Sequence, residues 1–176
     1  MNNLEIEKKY LVDLNKISLL KNKYKKITQG YLYSDNTTEI RIRSLEEDQR
    51  KTYYYTVKIS SENLLQRTEI EKEITSDEFY TLLQNLKPNT HLIQKNRYLV
   101  PLNNNLIAEV DIYTNELEGL KTVEVEFPSL EEALNFKAPD WFLLDVTNDK
   151  SYKNKNLAKT NFNKIKVKSL NLKKRI

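Results

Sequence analysis

Charged residues recur at every second position in several short segments that are otherwise rich in Thr, Tyr, Ile and Val. In a β-strand, side chains at positions i and i+2 lie on the same face, roughly 6.6–7 Å apart. Like charges repel at this spacing, so the pattern is unusual for a sheet that simply faces water. The charged sets that would share a strand face are Glu5, Glu7 and Lys9; Arg41 and Arg43; Glu69, Glu71 and Glu73; Lys95 and Arg97; Glu109 and Asp111; Glu124 and Glu126.

The two signs of charge together predict a site for a metal ion and a phosphate chain. Clustered carboxylates favour hard cations such as Mg²⁺ and Mn²⁺, which take oxygen ligands. Clustered Arg and Lys side chains bind phosphate oxygens, and Arg can do so through two parallel hydrogen bonds. The sequence has no glycine-rich phosphate loop, so side chains would have to hold the phosphates.

Strand signals dominate the chain, and they suggest how the charges are positioned. The faces opposite the charges carry apolar residues such as Ile6, Ile42 and Val125. A closed barrel with helices outside would bury these apolar faces and turn the charges towards an inner cavity. For any single strand, a polar face that meets water is the simpler explanation. The predicted strands lie near 3–12, 28–34, 38–45, 52–60, 66–75, 92–101, 105–115 and 119–127.

Helix signals lie between and after these strands. No internal repeat and no linker divides the chain, so we expect a single α+β domain over residues 1–176. The predicted segments are a helix capped by Asp13 with Ile17, Leu20 and Tyr24 on its apolar stripe, a helix capped by Ser76, a helix that begins at a capping box of Ser129 and Glu132, and helical or irregular structure through Trp141, Leu144 and 150–158.

Composition excludes several classes of protein. A hydrophobic content of 39% and a charged content of 31% are typical of a globular domain, and 176 residues can bury the core of one. The absence of cysteine excludes a disulfide, a thiolate zinc site and a cysteine nucleophile. No segment approaches the ~20 apolar residues of a membrane span, and the N-terminal residues lack the apolar run of a signal peptide. We therefore expect a cytoplasmic protein without a membrane partner.

The net charge of +4 is unevenly distributed along the chain. From Asp149 onward there are ten Lys and Arg residues and one acidic residue, so the preceding part of the chain is acidic. The high pI is therefore weak evidence for nucleic-acid binding, and we do not expect nucleic acid as a partner.

The order of the charged motifs resembles that of the CYTH superfamily, the triphosphate tunnel metalloenzymes. The resemblance spans roughly residues 3–158 and leaves 159–176 as a basic C-terminal extension. Lys8 and Tyr10 depart from the family pattern, in which Arg and Phe are frequent. The matching motifs are Glu5-x-Glu7-x-Lys9, Gln29-Gly30-Tyr31-Leu32, Arg41-x-Arg43, Thr56-x-Lys58, Arg67-x-Glu69-x-Glu71-x-Glu73, Lys95-x-Arg97, Asp111, Glu124-x-Glu126, and Asp149-Lys150-x-Tyr152-x-Asn154 with Leu157-Ala158.

This resemblance implies a closed eight-stranded antiparallel β-barrel with helices packed outside, and it implies roles for the charged residues. Lys95 would position or activate the attacking water, and it counts as catalytic together with Glu5 and Glu7. The residues implied to bind phosphate are Lys9, Arg41, Arg43, Lys58, Arg97 and Lys150. The residues implied to bind Mg²⁺ or Mn²⁺ are Glu5, Glu7, Glu71, Glu73, Asp111, Glu124 and Glu126. Periodicity alone does not distinguish among Glu69, Glu71 and Glu73, because all three share one strand face.

The function that the resemblance implies is metal-dependent hydrolysis of a triphosphate by in-line attack of water on a terminal phosphorus. Inorganic tripolyphosphate, cleaved to diphosphate and orthophosphate, is the first choice of substrate. The alternatives are hydrolysis of thiamine or nucleoside triphosphates, adenylate cyclase activity of class IV, and a non-catalytic polyphosphate-binding module. Family analogy also suggests a homodimer.

Overall fold

The computed structural model of the protein describes residues 3–19, 23–60 and 66–165. β-Branched and aromatic residues alternate with charged ones through most of this chain, and this alternation favours extended strands. Each of the eight predicted strands is present, and a ninth follows them. The strands are β1 (Asn3–Val12), β2 (Tyr24–Ser34), β3 (Thr38–Glu47), β4 (Arg50–Ser60), β5 (Gln66–Ile74), β6 (Ile93–Pro101), β7 (Ile107–Tyr113), β8 (Lys121–Glu126) and β9 (Phe142–Asp145).

All nine strands belong to one antiparallel sheet. The order of hydrogen-bonded neighbours is β5-β4-β3-β2-β6-β7-β8-β1-β9. Strand β1 has a further pairing, in which its residues 3–6 lie opposite residues 66–69 of β5. The register of β2 against β3 shifts between Tyr31 and Tyr33, which marks a β-bulge.

Short α-helices accompany the sheet in the described part of the chain, which confirms the α+β class. They include α1 (Ser76–Leu83), α2 (Leu130–Asn135) and α3 (Asn154–Leu157). The N-cap of α1 is Thr75 and not the predicted Ser76, since Thr75 and Glu78 form a reciprocal capping box. At the start of α2, the Ser129 side chain accepts a hydrogen bond from the Glu132 backbone, as predicted. None of the helices in the described ranges is long and apolar enough to cross a membrane.

One of the helix predictions is wrong, and a second is wrong at Leu144 but confirmed over 150–158, which holds a 3₁₀ turn and α3. The segment after Asp13 forms only a single 3₁₀ turn, Leu14–Lys16, whereas Tyr24 begins β2 and lies opposite Tyr98 of β6. Leu20, which was assigned to the same helix, lies outside the described residues. Leu144 belongs to β9, an edge strand that pairs with the end of β1. In both places pairing with a neighbouring strand outweighs a local apolar stripe.

Apolar side chains pack on the outer side of the sheet and at one end of it. The first core cluster joins the outer faces of β1, β7 and β8 to α2, and its members include Ile6, Tyr10, Val110, Val123, Val125, Ala133 and Phe142. The second cluster includes Tyr31, Tyr113, Tyr152, Leu157 and Ile165. Coverage is incomplete, because Ile59 on β4 and Ile70 on β5 are exposed. The predicted burial of the apolar faces therefore holds for β1, β7 and β8 and not for all of β4 and β5.

The start of the predicted basic extension is packed against the sheet. Phe162 lies against the second core cluster, Ile165 is buried, and the chain is helical over 162–165. The remaining part of that extension, 166–176, lies outside the described residues.

Candidate active site

Charged side chains from β1 and from β3 to β8, together with Gln29 and Tyr31 of β2, meet around a cavity of about 410 Å³. This volume is in the range of small-molecule sites, roughly 300–1,000 Å³. The strands deliver alternate residues to this wall, which agrees with the i, i+2 spacing in the sequence. The acidic lining residues are Glu5, Glu7, Glu39, Glu69, Glu71, Glu109, Glu124 and Glu126, and the basic ones are Lys9, Arg41, Arg43, Lys58, Lys95, Arg97 and Lys153.

Three predicted site residues do not line the cavity. Glu73 is exposed on β5, opposite Tyr54, although it shares a strand face with Glu71. Lys150 is exposed in the 3₁₀ turn before α3. Asp111 is completely buried and is not among the residues that line the cavity. Period-two alternation predicts the face on which a side chain lies, but it does not predict how far along the cavity or how deep the side chain sits. The predicted residues that the structure brings together are Glu5, Glu7, Lys9, Arg41, Arg43, Lys58, Glu71, Lys95, Arg97, Glu124 and Glu126.

Several lining residues were absent from the predicted site. Gln29 and Glu39 share strand faces with Tyr31 and Arg41, so alternation could have found them. Lys153 lies in an irregular segment, where no periodicity applies. The Gln29 side chain is buried and donates a hydrogen bond of 3.2 Å to the Tyr31 hydroxyl.

The wall formed by β3, β4 and β5 presents two arginines with unused donors. Nη2 of Arg41 lies 3.3 Å from Glu69, and Nη2 of Arg43 lies 2.9 Å from Glu71. Among the described residues, the buried Nε atoms of Arg41 and Arg43 have no hydrogen-bond partner. A buried donor without a partner is costly, so an anionic ligand that accepts these hydrogen bonds would be stabilised.

On the same side of the cavity, Lys58 connects strand β4 to β1 and β5. Its ammonium group donates hydrogen bonds of 2.6 Å to both carboxylate oxygens of Glu5 and lies 3.2 Å from Glu69. Both Lys58 and Glu5 are largely shielded from solvent. Low solvent access strengthens this ion pair relative to an exposed one.

The wall formed by β6, β7, β8 and β1 is more completely paired. Arg97 donates hydrogen bonds of 2.7 Å from Nε and Nη2 to the two oxygens of Asp111, and one of 2.6 Å from Nη2 to Glu124. It also pairs with Glu109, and Lys95 pairs with Asp111. Lys9 completes the network at 2.9 Å from Glu124.

Burial and neighbouring charges shift the pKa values of several groups. Burial, followed by the charge of Arg97, lowers the pKa of Lys95 to about 8 despite its pairing with Asp111. For Glu124, burial favours the neutral form, but the cations Lys9, Lys95 and Arg97 outweigh it and hold the pKa well below its usual range.

Glu126 lies at an exposed position on β8, and its carboxylate reaches the cavity. Partial burial of that carboxylate, followed by the negative charges of Glu109, Glu5 and Glu7, raises the pKa of Glu126 to about 7. This part of the cavity therefore carries negative charge that its lysines do not fully balance.

The donor chemistry near Glu126 fits a hard divalent cation. Glu7 lies directly opposite Glu126 in the pairing of β1 with β8, and carboxylate oxygens are the ligands that Mg²⁺ and Mn²⁺ prefer. Within residues 3–19, 23–60 and 66–165, however, no three Asp, Glu, His or Cys side chains are already gathered as a metal-binding group. Glu5 is engaged by Lys58 and Glu124 by Lys9, so a cation would compete with these lysines.

An irregular segment after β9 covers part of the cavity with Val146, Thr147, Tyr152, Lys153 and Asn154. The backbone of Val146 donates to the Lys9 carbonyl at 2.9 Å, and the Tyr113 hydroxyl donates to Asn154 at 2.9 Å. Lys155 of α3 forms an ion pair of 2.9 Å with Glu39. These contacts fix the covering segment to β1, β7 and β3.

Comparisons with known proteins identify relatives of this chain by sequence and by fold. An inorganic triphosphatase from Nitrosomonas europaea is 36% identical over 163 residues, covering 88% of this chain and 96% of the relative. One from Acetivibrio thermocellus is 35% identical over 164 residues, covering 92% and 97%. The crystal structure of an inorganic triphosphatase matches with a TM-score of 0.61 and 31% identity, covering 89% of this chain and 95% of that one. No family model matches the sequence. The chain belongs to the CYTH superfamily, in the family of these inorganic triphosphatases.

Proposed function

We propose that the protein hydrolyses inorganic tripolyphosphate to diphosphate and orthophosphate. The observation that carries the proposal is the pair Arg41 and Arg43, whose buried Nε donors have no partner among the described residues. They share a cavity with a group of carboxylates that are not fully neutralised. The relatives at 35–36% identity are named inorganic triphosphatases, which supports the same substrate.

The cavity would be the interior of a closed barrel built by β1 to β8. The pairing of residues 3–6 in β1 with residues 66–69 in β5 supports closure, since it joins the two sides of the sheet. Inward charges with apolar residues on the outside also favour a closed arrangement. Strand β9 would then be an addition at the outer edge of β1.

Phosphate binding would fall to the basic side chains of two opposing walls. Arg41 and Arg43 offer donors from β3, while Lys58 and Lys9 offer ammonium groups from β4 and β1. Oxygens of the phosphate chain would replace some of the glutamate oxygens that now pair with these basic side chains. Fixed donors in a cavity shielded from water stabilise the charge that develops as the phosphoanhydride bond breaks.

Mg²⁺ or Mn²⁺, held by Glu5, Glu7, Glu124 and Glu126, would neutralise substrate oxygens and acidify a bound water. Lys95 lies in the same cavity, where burial lowers its pKa, and it would position or activate the attacking water. Glu71 remains a candidate for an assisting ligand, since it lines the cavity beside Arg43.

The test is to incubate the purified protein with tripolyphosphate, thiamine triphosphate or ATP, in the presence of Mg²⁺, Mn²⁺ or a chelator. Orthophosphate and cyclic AMP are then assayed. We expect metal-dependent release of orthophosphate that is fastest from tripolyphosphate. Cyclic AMP from ATP would assign the protein to the cyclases instead, and the absence of product from every substrate would leave a binding module.

A further inference from the structure

Asp111 stands apart from the other acidic residues of the site. Its side chain is 0% exposed and does not line the cavity, although its strand neighbour Glu109 does. A buried carboxylate is strongly disfavoured unless cations and hydrogen bonds compensate for the lost water. The partners of Asp111 therefore indicate what its charge does.

Both carboxylate oxygens of Asp111 are already used by two basic residues of β6. Nε of Arg97 donates to Oδ1 and Nη2 donates to Oδ2, each at 2.7 Å, in a bidentate geometry. The ammonium group of Lys95 also donates to Oδ2. In the sheet, Asp111 lies directly opposite Arg97, so the backbone register itself sets this arrangement.

We infer that Asp111 is a positioning residue, which holds the Lys95 ammonium and the Arg97 guanidinium at the cavity wall, and that it is not a metal ligand. The inference rests on the proposed triphosphatase function. The sequence motif had placed Asp111 among the metal ligands, but its full burial and its two cationic partners oppose that role.

The physical reason for such a residue is the flexibility of lysine. A lysine side chain has a flexible stem of four carbons. A freely moving ammonium group would therefore seldom occupy the position from which it can orient a reacting water. A buried carboxylate fixes that group before the substrate arrives. Asp111 fixes Arg97 as well, because the bidentate pair orients the remaining guanidinium donors towards Glu109 and Glu124.

The experiment compares Asp111→Asn with the wild-type protein in two assays. The first is steady-state hydrolysis of tripolyphosphate with Mg²⁺, for which we expect kcat to fall roughly a hundredfold, as for a misplaced catalytic group. The second is calorimetric titration of the substrate-free protein with Mn²⁺, for which we expect a Kd within about twofold of wild type. A loss of a true metal ligand or its partner typically weakens affinity by about 10–100-fold.

Two further variants serve as controls. Glu126→Gln removes a proposed ligand and should weaken Mn²⁺ binding by about tenfold or more. Asp140→Asn removes an exposed carboxylate whose ion pair with Lys16 is solvated, and it should change neither assay. If Asp111→Asn does not fold, the charge-balanced double variant Asp111→Asn with Lys95→Gln is titrated with Mn²⁺ in its place.

The outcomes separate the two proposals. Tenfold weaker Mn²⁺ binding by either Asp111 variant would overturn the positioning role and restore the metal-ligand role. Wild-type turnover by Asp111→Asn would also overturn it. If the wild-type protein hydrolyses no triphosphate, the proposed function fails. The Mn²⁺ titration would then still decide whether Asp111 is a ligand, and calorimetric binding of tripolyphosphate, expected to weaken in Asp111→Asn, would decide whether it positions the basic groups.

Discussion

The arginines of the cavity use their guanidinium groups in two different ways. Arg97 donates to three carboxylates, those of Glu109, Asp111 and Glu124, and is thereby fixed in the wall. Within the described ranges, Arg41 pairs with Glu69 and Arg43 with Glu71, and the Nε atom of each arginine has no hydrogen-bond partner. The first arrangement organises the site, whereas the second leaves hydrogen-bonding capacity for a ligand.

Replacing Arg41 with Ala should reduce turnover of tripolyphosphate without unfolding the protein. We expect kcat/KM to fall by roughly 10²–10³, the usual effect of removing one donor that stabilises transition-state charge. The fold should persist, because Glu69 keeps a second partner, Lys58, at 3.2 Å. Steady-state kinetics and a thermal melt of the same preparation measure the two effects.

The matched control for this prediction is Arg50→Ala, which removes an exposed arginine at the start of β4. Its kinetics should equal those of the wild-type protein. Unchanged turnover by Arg41→Ala on every triphosphate tested would contradict the role that we assign to Arg41.

Replacing Glu126 with Gln should stabilise the protein in a chelator at pH 8. The folded-state pKa of Glu126 is raised to about 7, so its ionised form is disfavoured in the folded protein. The destabilisation of the fold by ionised Glu126 is absent below the ordinary pKa of a glutamate and is complete above a pH of about 7. The variant should therefore melt at a higher temperature than wild type at pH 8 and at the same temperature near pH 4. A variant that melts lower than wild type at pH 8 would show that Glu126 stabilises the fold.

At the scale of elements, the eight strands and the helices α1 and α2 were predictable, whereas the segments that hold Tyr24 and Leu144 were not. The eight strands could be predicted from alternation with a period of two, as between Arg41 and Arg43. That period indicates both an extended strand and the strand face on which each side chain lies. Tyr24 was assigned to a helix because its spacing from Ile17 suits an apolar stripe, yet it pairs with Tyr98, which is distant in sequence. Strand β9 was missed because four residues are too few to display a period.

Prediction of the site residues was limited in the same way, because periodicity along a strand does not give the depth of a side chain. The sequence identified the charged residues of the cavity wall, but it included Glu73, which lies on the correct face beyond the end of the cavity. It also included Asp111 but did not predict that this side chain is buried, because burial depends on which strands are neighbours in the sheet. Lys153 lines the cavity and the predicted Lys150 does not, since short turns and irregular segments have no period that indicates where a side chain lies.

Replacing Gly119 with Ala should destabilise the turn that precedes β8. Gly119 has a φ of +99°, and a Cβ atom there would lie 2.6 Å from Cε1 of Phe162. We expect the free energy of unfolding to fall by roughly 1–3 kcal/mol from backbone strain alone, as measured by chemical denaturation. Steric conflict with Phe162 adds to this loss.

A second variant separates the two causes at Gly119. In a Phe162→Ala background the ring is absent, so Gly119→Ala should still lower stability through its φ angle. If the substitution has no effect in that background, the conformational argument fails and contact with the Phe162 ring explains the whole loss.

At the scale of the whole molecule, charged and apolar side chains are segregated. Charges line the cavity, whereas the first apolar cluster packs β1, β7 and β8 against α2. The second cluster includes Tyr31 and Tyr152, which themselves line the cavity. Stability therefore depends on aromatic residues packed outside the sheet, such as Tyr10 against Phe142, whose ring centroids are 5.0 Å apart. Substitutions in the cavity and in the core should for that reason separate effects on activity from effects on stability.

The buried tyrosines should make the fold sensitive to alkaline pH. Burial, followed by the charge of Asp145, raises the pKa of Tyr10 to about 12, and burial raises that of Tyr113 to about 12. Because the folded-state pKa values lie above the ordinary value of 10.0, stability is complete below about pH 10 and is lost as the pH rises towards 12. Unfolding should coincide with the phenolate absorbance of these residues.

The variant Tyr10→Phe checks this assignment. It removes the hydroxyl and keeps the ring, so its loss of stability between about pH 10 and about pH 12 should be smaller than that of wild type. An identical alkaline transition in the two proteins would show that Tyr10 ionises without opposing the fold.

The make-up of the cavity wall also constrains which chemical species can enter it. Its lining contains eight acidic and seven basic residues, so the wall is close to electroneutral before any ligand arrives. A polyphosphate chain brings several negative charges into this balanced environment, and cations have to accompany it. The true substrate would accordingly be the metal–polyphosphate complex. At a fixed amount of Mg²⁺, adding uncomplexed tripolyphosphate beyond stoichiometry should slow the reaction.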